Sequence, residues 1–227
     1  MNKSILILLF AFITGGILAQ QTENRNLESF SGVKVAEGID VYLIKGTKEG
    51  AKVEVSGTDV KNVLTEVSGS YLKVHMRDGN YKGNVNAKVY VTYIKLDKLS
   101  ASSAGSIFSQ GVIEANSLEV SASSAGAVEI EVNAGSVEIS ASSAGEAELK
   151  GKAKSILADA SSAGEIDAFD LESAKVEAEA SSGGSVKVSA TQELIAHASS
   201  GGSVRYRGNP AKSITDSSSG GSVKKSN

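Results

Sequence analysis

Seven copies of one Ser-rich phrase run through the second half of the chain and restrict its folding more than any other feature. They are SASSAG ending at Gly105, Gly126 and Gly145, DASSAG at Gly164, EASSGG at Gly184, HASSGG at Gly202 and DSSSGG at Gly221. Successive glycines are 21, 19, 19, 20, 18 and 19 residues apart. A period of this length, carried by strand-like units, is the mark of a solenoid in which each repeat buries its apolar face only against its neighbours.

Positions counted from each final glycine define the coil. Six before it stand Leu99, Val120, Ile139, Ala158, Ala178, Ala196 and Thr215; four before it are six alanines and Ser217. Two after it come Ile107, Val128, Ala147, Ile166, Val186, Val204 and Val223. The positions between are polar, so each copy reads as a half-buried strand, a tight corner and a second strand. Coils stacked in parallel would align these columns into one apolar interior about 4.8 Å per layer. The corner is expected to use glycine for positive φ, and the serines to hydrogen-bond backbone. Gly151–Lys154 and Gln192–Glu193 fit turns that absorb the differences in coil length, and Pro210 falls in a loop between strands. Helical periodicity is absent after the N-terminus.

Upstream of Leu99 the repeat fades but strands persist. Val33/Val35, Ile39/Val41/Leu43, Val53/Val55, Leu72/Val74/Met76 and Val89/Val91 alternate with polar residues. Glycine turns at 38, 46, 57, 69 and 79 separate them. Met1–Ala19 carries Lys3, an apolar run from Ile5 to Ile13 and a small-residue exit, and is predicted to be a secretory signal peptide. The run is shorter than the roughly 20 residues of a membrane span. The predicted organisation is therefore a signal peptide at 1–19, an N-terminal extension at 20–26 and one domain over 27–227. Residues 27–99 supply irregular strands and 100–227 regular coils.

The 227 residues include no cysteine. That excludes disulfides, thiolate metal sites, a cysteine nucleophile and a cysteine-linked lipoprotein anchor. Without the leader, 22 basic face 26 acidic groups, a net charge of −4. A mildly acidic surface of mixed sign is a poor match for nucleic acid or anionic lipid.

Candidate chemistry is sparse. The fourteen paired serines could form a hydroxyl ladder for sugar or ordered water, but each has a structural use at a tight corner. No G-x-S-x-G elbow marks a nucleophile. His75 and His197 both occupy outward slots without an evident partner, so no metal or other cofactor is expected. Asp159, Glu179 and Asp216, with Asp167 and Asp170 nearby, could suggest calcium, yet the nonapeptide of calcium-binding β-rolls is missing. A lyase groove would need acids gathered with a base such as Arg205 or Arg207. Tyr42 and Tyr90 alternate with inward valines and are candidate exposed aromatics, for sugar stacking or for packing under a loop.

The stretches NLESFSGVKVAEGIDVYLIKG and KVEVSGTDVKNVLTEVSGSYLKV, with the Ser-Ser-Ala-Gly and Ser-Gly-Gly turns that follow, resemble the bacterial family called putative auto-transporter adhesin, head GIN domain. Its tripeptide falls on Gly38, Ile39 and Asp40, with Asp in place of Asn. The resemblance implies an all-β, right-handed parallel β-helix with coils of about 19 residues, exported by a cell of the Bacteroidetes type, and no established activity. An autotransporter would need a membrane barrel after its passenger, whereas six residues follow Gly221; self-export is not expected, nor is a C-terminal sorting domain. The expected role is a non-enzymatic exported scaffold meeting a protein or glycan at the cell envelope. The alternatives are a glycan-binding module or polysaccharide lyase, and a solenoid that assembles through its ends.

Overall fold

The computed structural model describes residues 20–81 and 83–226. The expected signal peptide lies outside the described residues. The chain is all-β and stacks parallel coils of about 19 residues into a solenoid of about seven turns. The strands are β1 (Gln21–Asn26), β2 (Gly32–Val35), β3 (Asp40–Lys45), β4 (Gly50–Ser56), β5 (Val63–Ser68), β6 (Tyr71–Met76), β7 (Asn86–Tyr93) and β8 (Lys98–Ala101). Five coil-length strands follow: β9 (Ser106–Ser123), β10 (Ala127–Ser142), β11 (Glu146–Ala160), β12 (Glu165–Ala180) and β13 (Ser185–Ala198). Then come β14 (Ser203–Arg207), β15 (Lys212–Ser217) and β16 (Ser222–Lys225). Among the described residues a single 3-10 turn, Val60–Asn62, is capped by the Asp59 carboxylate.

The long strands pair in parallel and in register, so the apolar columns align as the repeat requires. Ala122, Ala141, Ala160, Ala180 and Ala198 lie one above another, as do Ile107, Val128, Ala147, Ile166, Val186 and Val204, all buried. Coils of unequal length are reconciled where register shifts, at Glu148/Gly151, Ala168/Glu172 and Ser173/Lys175. The one buried polar side chain among the described residues is Ser173, which donates to the Lys175 carbonyl at 2.9 Å. It therefore carries no desolvation penalty.

The corner meets the sequence expectation in three copies, where Gly183, Gly201 and Gly220 carry positive φ, and departs from it in the four that have alanine there. The phrase-final glycines are absent from the positive-φ residues. Instead the serine two before each final glycine lies at φ 49–50° and the next residue at φ 58–78°. Two successive positive φ values make a type I′ turn, closed by the final glycine N–H donating to the carbonyl of the serine three before it at 2.7–2.9 Å. Four alanines (Ala104, Ala125, Ala144 and Ala163) thus hold a conformation usually left to glycine. The final glycine answers a different need, which is space. A Cβ at Gly126, Gly145, Gly164, Gly184, Gly202 or Gly221 would stand 2.3–2.5 Å from the backbone of the alanine in the coil before it. Adjacent corners are joined by backbone: Ala104 N–H donates to Ser124 O, Ala125 to Ser143, Ala144 to Ser162 and so on at 3.1–3.3 Å. Among the described corner serines only Ser102 sets its hydroxyl on backbone, at 3.4 Å from Val35 O. The serines are small residues that tolerate the turn more than they are its side-chain ties.

The head is less regular for a topological reason. β2–β3 forms a coil wedged between β6–β7 on one side and β8–β9 on the other, so stacking order departs from chain order. Beyond it, β4 adds antiparallel to β7, β1 to β4, and β5 to β6. Residues 20–26, expected as an extension, largely form β1, an edge strand. At the opposite end the inward positions of β15 are Ser213, Thr215 and Ser217, all exposed, where the coil above has Leu194, Ala196 and Ala198. The core therefore stops on hydroxyls that tolerate water.

Candidate functional site

The family tripeptide is the first rung of the corner ladder. Glu37 and Gly38 have φ 63° and 68°, and Gly38 N–H donates to Ser103 O at 3.1 Å. Ile39 occupies the slot held downstream by the space-limited glycine and is fully buried. It fits because the coil beyond it makes no tight corner. A cavity of about 380 Å³ is instead lined there by Ile39, Met76, Arg77, Tyr81 and Val85. There the Glu37 carboxylate accepts from Met76 N–H at 2.7 Å. Asp40 follows on the outer surface, beside Ser106.

Three residues past each corner the side chain points outward, and the in-register coils line these positions up. From the head, the column reads Tyr90, Tyr42, Phe108, then Glu129, Glu148, Asp167, then Lys187, Arg205, Lys224. Tyr42 stacks on Tyr90 and on Phe108, each with ring centroids 5.2 Å apart and planes 21–22° from parallel. Lys52 and Lys88 flank these rings at 5.5 and 6.0 Å. The sequence separates Tyr90, Tyr42 and Phe108 widely, and the wedged β2–β3 coil brings them together. Phe108 was not singled out from sequence, although it stands at the slot filled by charges in every later copy.

Below the rings the column itself is acidic over three coils, flanked by Glu131, Glu146 and Glu165 and, beside Glu131, by the exposed Lys150, and is then basic over three. Lys187 sits at the boundary, bonded to Glu165 Oε1 at 2.8 Å and Asp167 Oδ2 at 2.9 Å. These hydrogen bonds raise its pKa above the ordinary lysine value. Arg207 lies 4.0 Å above the Phe169 ring. Like charges on adjacent rungs repel, so away from the Lys187 boundary the two runs do not stabilise the isolated chain.

The other sequence candidates disperse. Asp159, Glu179, His197 and Asp216 form an outward column on the far side of the corner from Asp167, and Asp170 is exposed in the longer β12 coil. Each histidine, expected to lack a partner, lies near a carboxylate: His75 3.8 Å from Glu66, His197 4.0 Å from Asp216. Among the described residues no group of three or more His, Asp or Glu is placed to hold a metal. A second, shallow groove of about 390 Å³ follows the opposite bend between Ser136, Ser155 and Lys175 on one wall and Glu138, Leu157 and Glu177 on the other. Among the described residues no helix is long and apolar enough to cross a membrane.

A stack of near-identical coils with in-register columns defines a parallel β-solenoid. The chain belongs to the family described as putative auto-transporter adhesin, head GIN domain, whose model matches residues 29–210. No curated protein matches it. Its fold is similar to that of a putative adhesin from Bacteroides fragilis NCTC 9343, with TM-score 0.82, 18% identity, and coverage of 92% of this chain and 97% of that one. A putative adhesin from Parabacteroides distasonis ATCC 8503 is also similar, with TM-score 0.72, 17% identity and 92% and 97% coverage. So is a putative lipid binding protein from the same strain, with TM-score 0.67, 20% identity and the same coverage.

Proposed function

We propose that the chain is a non-enzymatic scaffold, exported to the envelope or cell surface, whose outward column serves adhesion or envelope contacts. The carrying observation is that column: aromatic at the head and charged along the stack. Its acids and bases are segregated along the axis rather than gathered around a cleft, which favours recognition over acid–base chemistry. Export is supported by the leader-like Met1–Ala19, and the lack of cysteine leaves no residue for a lipoprotein anchor.

The face fits a protein partner better than a sugar. A pyranose stacks on a ring face, and here Tyr42 gives both faces to its neighbours. Protein interfaces use such rigid rings readily. The similar structure described as a lipid binding protein lends little to a lipid role, because the solenoid interior is filled by side chains. Binding of the labelled protein to envelope fractions and to a glycan array tests the reading. Saturable binding to protein components that falls about tenfold or more in Tyr42→Ala supports it. Turnover of any polysaccharide, or binding unmoved by changes on this face, sinks it.

A further inference from the structure

The charge runs on the outer column carry a relation that the isolated chain uses only at the boundary, where Lys187 bonds Glu165 and Asp167. From the head end the order is three acids and then three bases, Glu129, Glu148, Asp167, Lys187, Arg205 and Lys224, one per coil. A two-fold rotation about a line perpendicular to the solenoid axis, passing between the coils of Asp167 and Lys187, reverses the order of coils. Every acid of this central column then meets a base: Asp167 faces Lys187 of a second copy, Glu148 faces Arg205, and Glu129 faces Lys224. In the flanking columns Glu146 and Glu165 face serines, and Lys150 lies against the Arg205 coil. All coils share one spacing, so the three pairs come into register together and occur twice by symmetry. Within one chain the same order places like charges on adjacent rungs, where they repel.

We infer that this face binds a second copy of the chain, antiparallel and face to face, in an isologous dimer. Self-complementary charge is the ground for choosing this occupant. The solenoid ends are poorer candidates. At the head the parallel stack gives way to the short antiparallel edge strands β1, polar in sequence, and β5, and the tail ends on the hydroxyls of Ser213, Thr215 and Ser217. Six coils at about 4.8 Å and three outward columns across give a footprint of roughly 29 by 16 Å. Counted over both copies that is roughly 900–1,000 Å², below a standard interface, so the dimer is weak and reversible. Its energetics are charge-led and exposed, so salt screens it. Tyr90, Tyr42 and Phe108 lie beyond the last matched coil and stay uncovered. The inference rests on the reading of this column as an interaction face and names one partner for its charged part.

Sedimentation velocity on the purified mature chain is the test. At about 50 mM salt a monomer–dimer equilibrium is expected, weakened at least tenfold at about 500 mM. Arg205→Glu and Glu148→Arg should each weaken it by about tenfold or more, because each puts like charges opposite one another. The double variant swaps the signs of the Glu148–Arg205 pair and should restore dimerisation to within about threefold. All these residues are exposed, so an unchanged far-UV spectrum and melting curve confirm folding. A monomer at about 100 μM in low salt overturns the inference, as does a dimer indifferent to salt or a double variant no better than the singles. A dimer abolished by Ile214→Lys but unmoved by the charge changes would place the contact at the tail instead. Partner binding that survives when dimerisation fails leaves the adhesion reading standing, because its Tyr42 readout lies outside the overlap.

Discussion

Replacing Gly145 with alanine separates two explanations of the repeat glycine. If glycine were there for positive φ, its neighbour Ala144, which has φ 58°, would be the more sensitive position. The structure says otherwise. A Cβ on Gly145 would lie 2.3 Å from the Ala122 carbonyl oxygen and 2.4 Å from its carbon. An unstrained C···O contact is about 3.3 Å, so the corner must open by about 1 Å. Two backbone bonds cross that rung, Glu146 N–H to Gly126 O at 2.9 Å and Ala125 N–H to Ser143 O at 3.2 Å. Stretching both by that amount removes them, at about 1 kcal/mol each, and leaves poorly solvated groups behind. The sum is a loss of about 3 kcal/mol, or roughly 6–12 °C in Tm for a domain of this size. Ala144→Gly relieves about 1 kcal/mol of left-handed strain and gives back about 0.5–1 in unfolded-chain entropy, so it should be neutral or slightly stabilising. The chain has no tryptophan, so urea and thermal unfolding are best followed by far-UV circular dichroism. The reasoning is refuted if Gly145→Ala stays within about 0.5 kcal/mol of wild type, or if Ala144→Gly is the more damaging change.

Three further outcomes are expected. Tyr42→Ala removes both ring contacts of the stack and should cost about 1–3 kcal/mol, against about half that for Tyr90→Ala, which loses one; equal losses in chemical denaturation would argue that the rings act singly. Glu37→Ala should cost about 1–2 kcal/mol by orphaning Met76 N–H, while Glu37→Gln, which keeps an acceptor, should cost less; hydrogen exchange at Met76 reads this directly. Lys187 is raised by its hydrogen bonds to Glu165 and Asp167, from an ordinary value of 10.5. Its contribution is therefore fully present below that value and is lost as pH climbs through the higher folded pKa. The site is largely solvated, so the effect is small. Wild type should exceed Lys187→Met in melting temperature at neutral pH, with the gap closing in alkali; a gap that widens contradicts the assignment.

The regular coils were legible because one constraint repeats: apolar residues at fixed offsets from a corner must fall on shared columns. Leu99 through Ala196 and Ile107 through Val204 are buried as that spacing requires. The head was less legible because its pairings skip along the chain. β1 reads QTENRN, an edge strand with no apolar face to betray it. The Tyr90–Tyr42–Phe108 stack depends on β3 lying between β7 and β9, which no local pattern reports. The role of the final glycine was misread because one residue type satisfies two needs, positive φ and close approach, and only the coordinates of the neighbouring coil distinguish them.

The two ends of the solenoid differ from everything between them. The head ends in strands running the other way, and the tail in a rung whose interior side chains are hydroxyls. Interior coils need only offer the same columns to the coils on either side. Length can therefore change by whole coils, about 19 residues for about 4.8 Å, without redesigning either terminus. An added interior coil would also shift the centre of the charged column by half a rung. The molecule is in effect a ruler whose divisions are set by the Ser-rich corner, and its length decides which charges come to face each other.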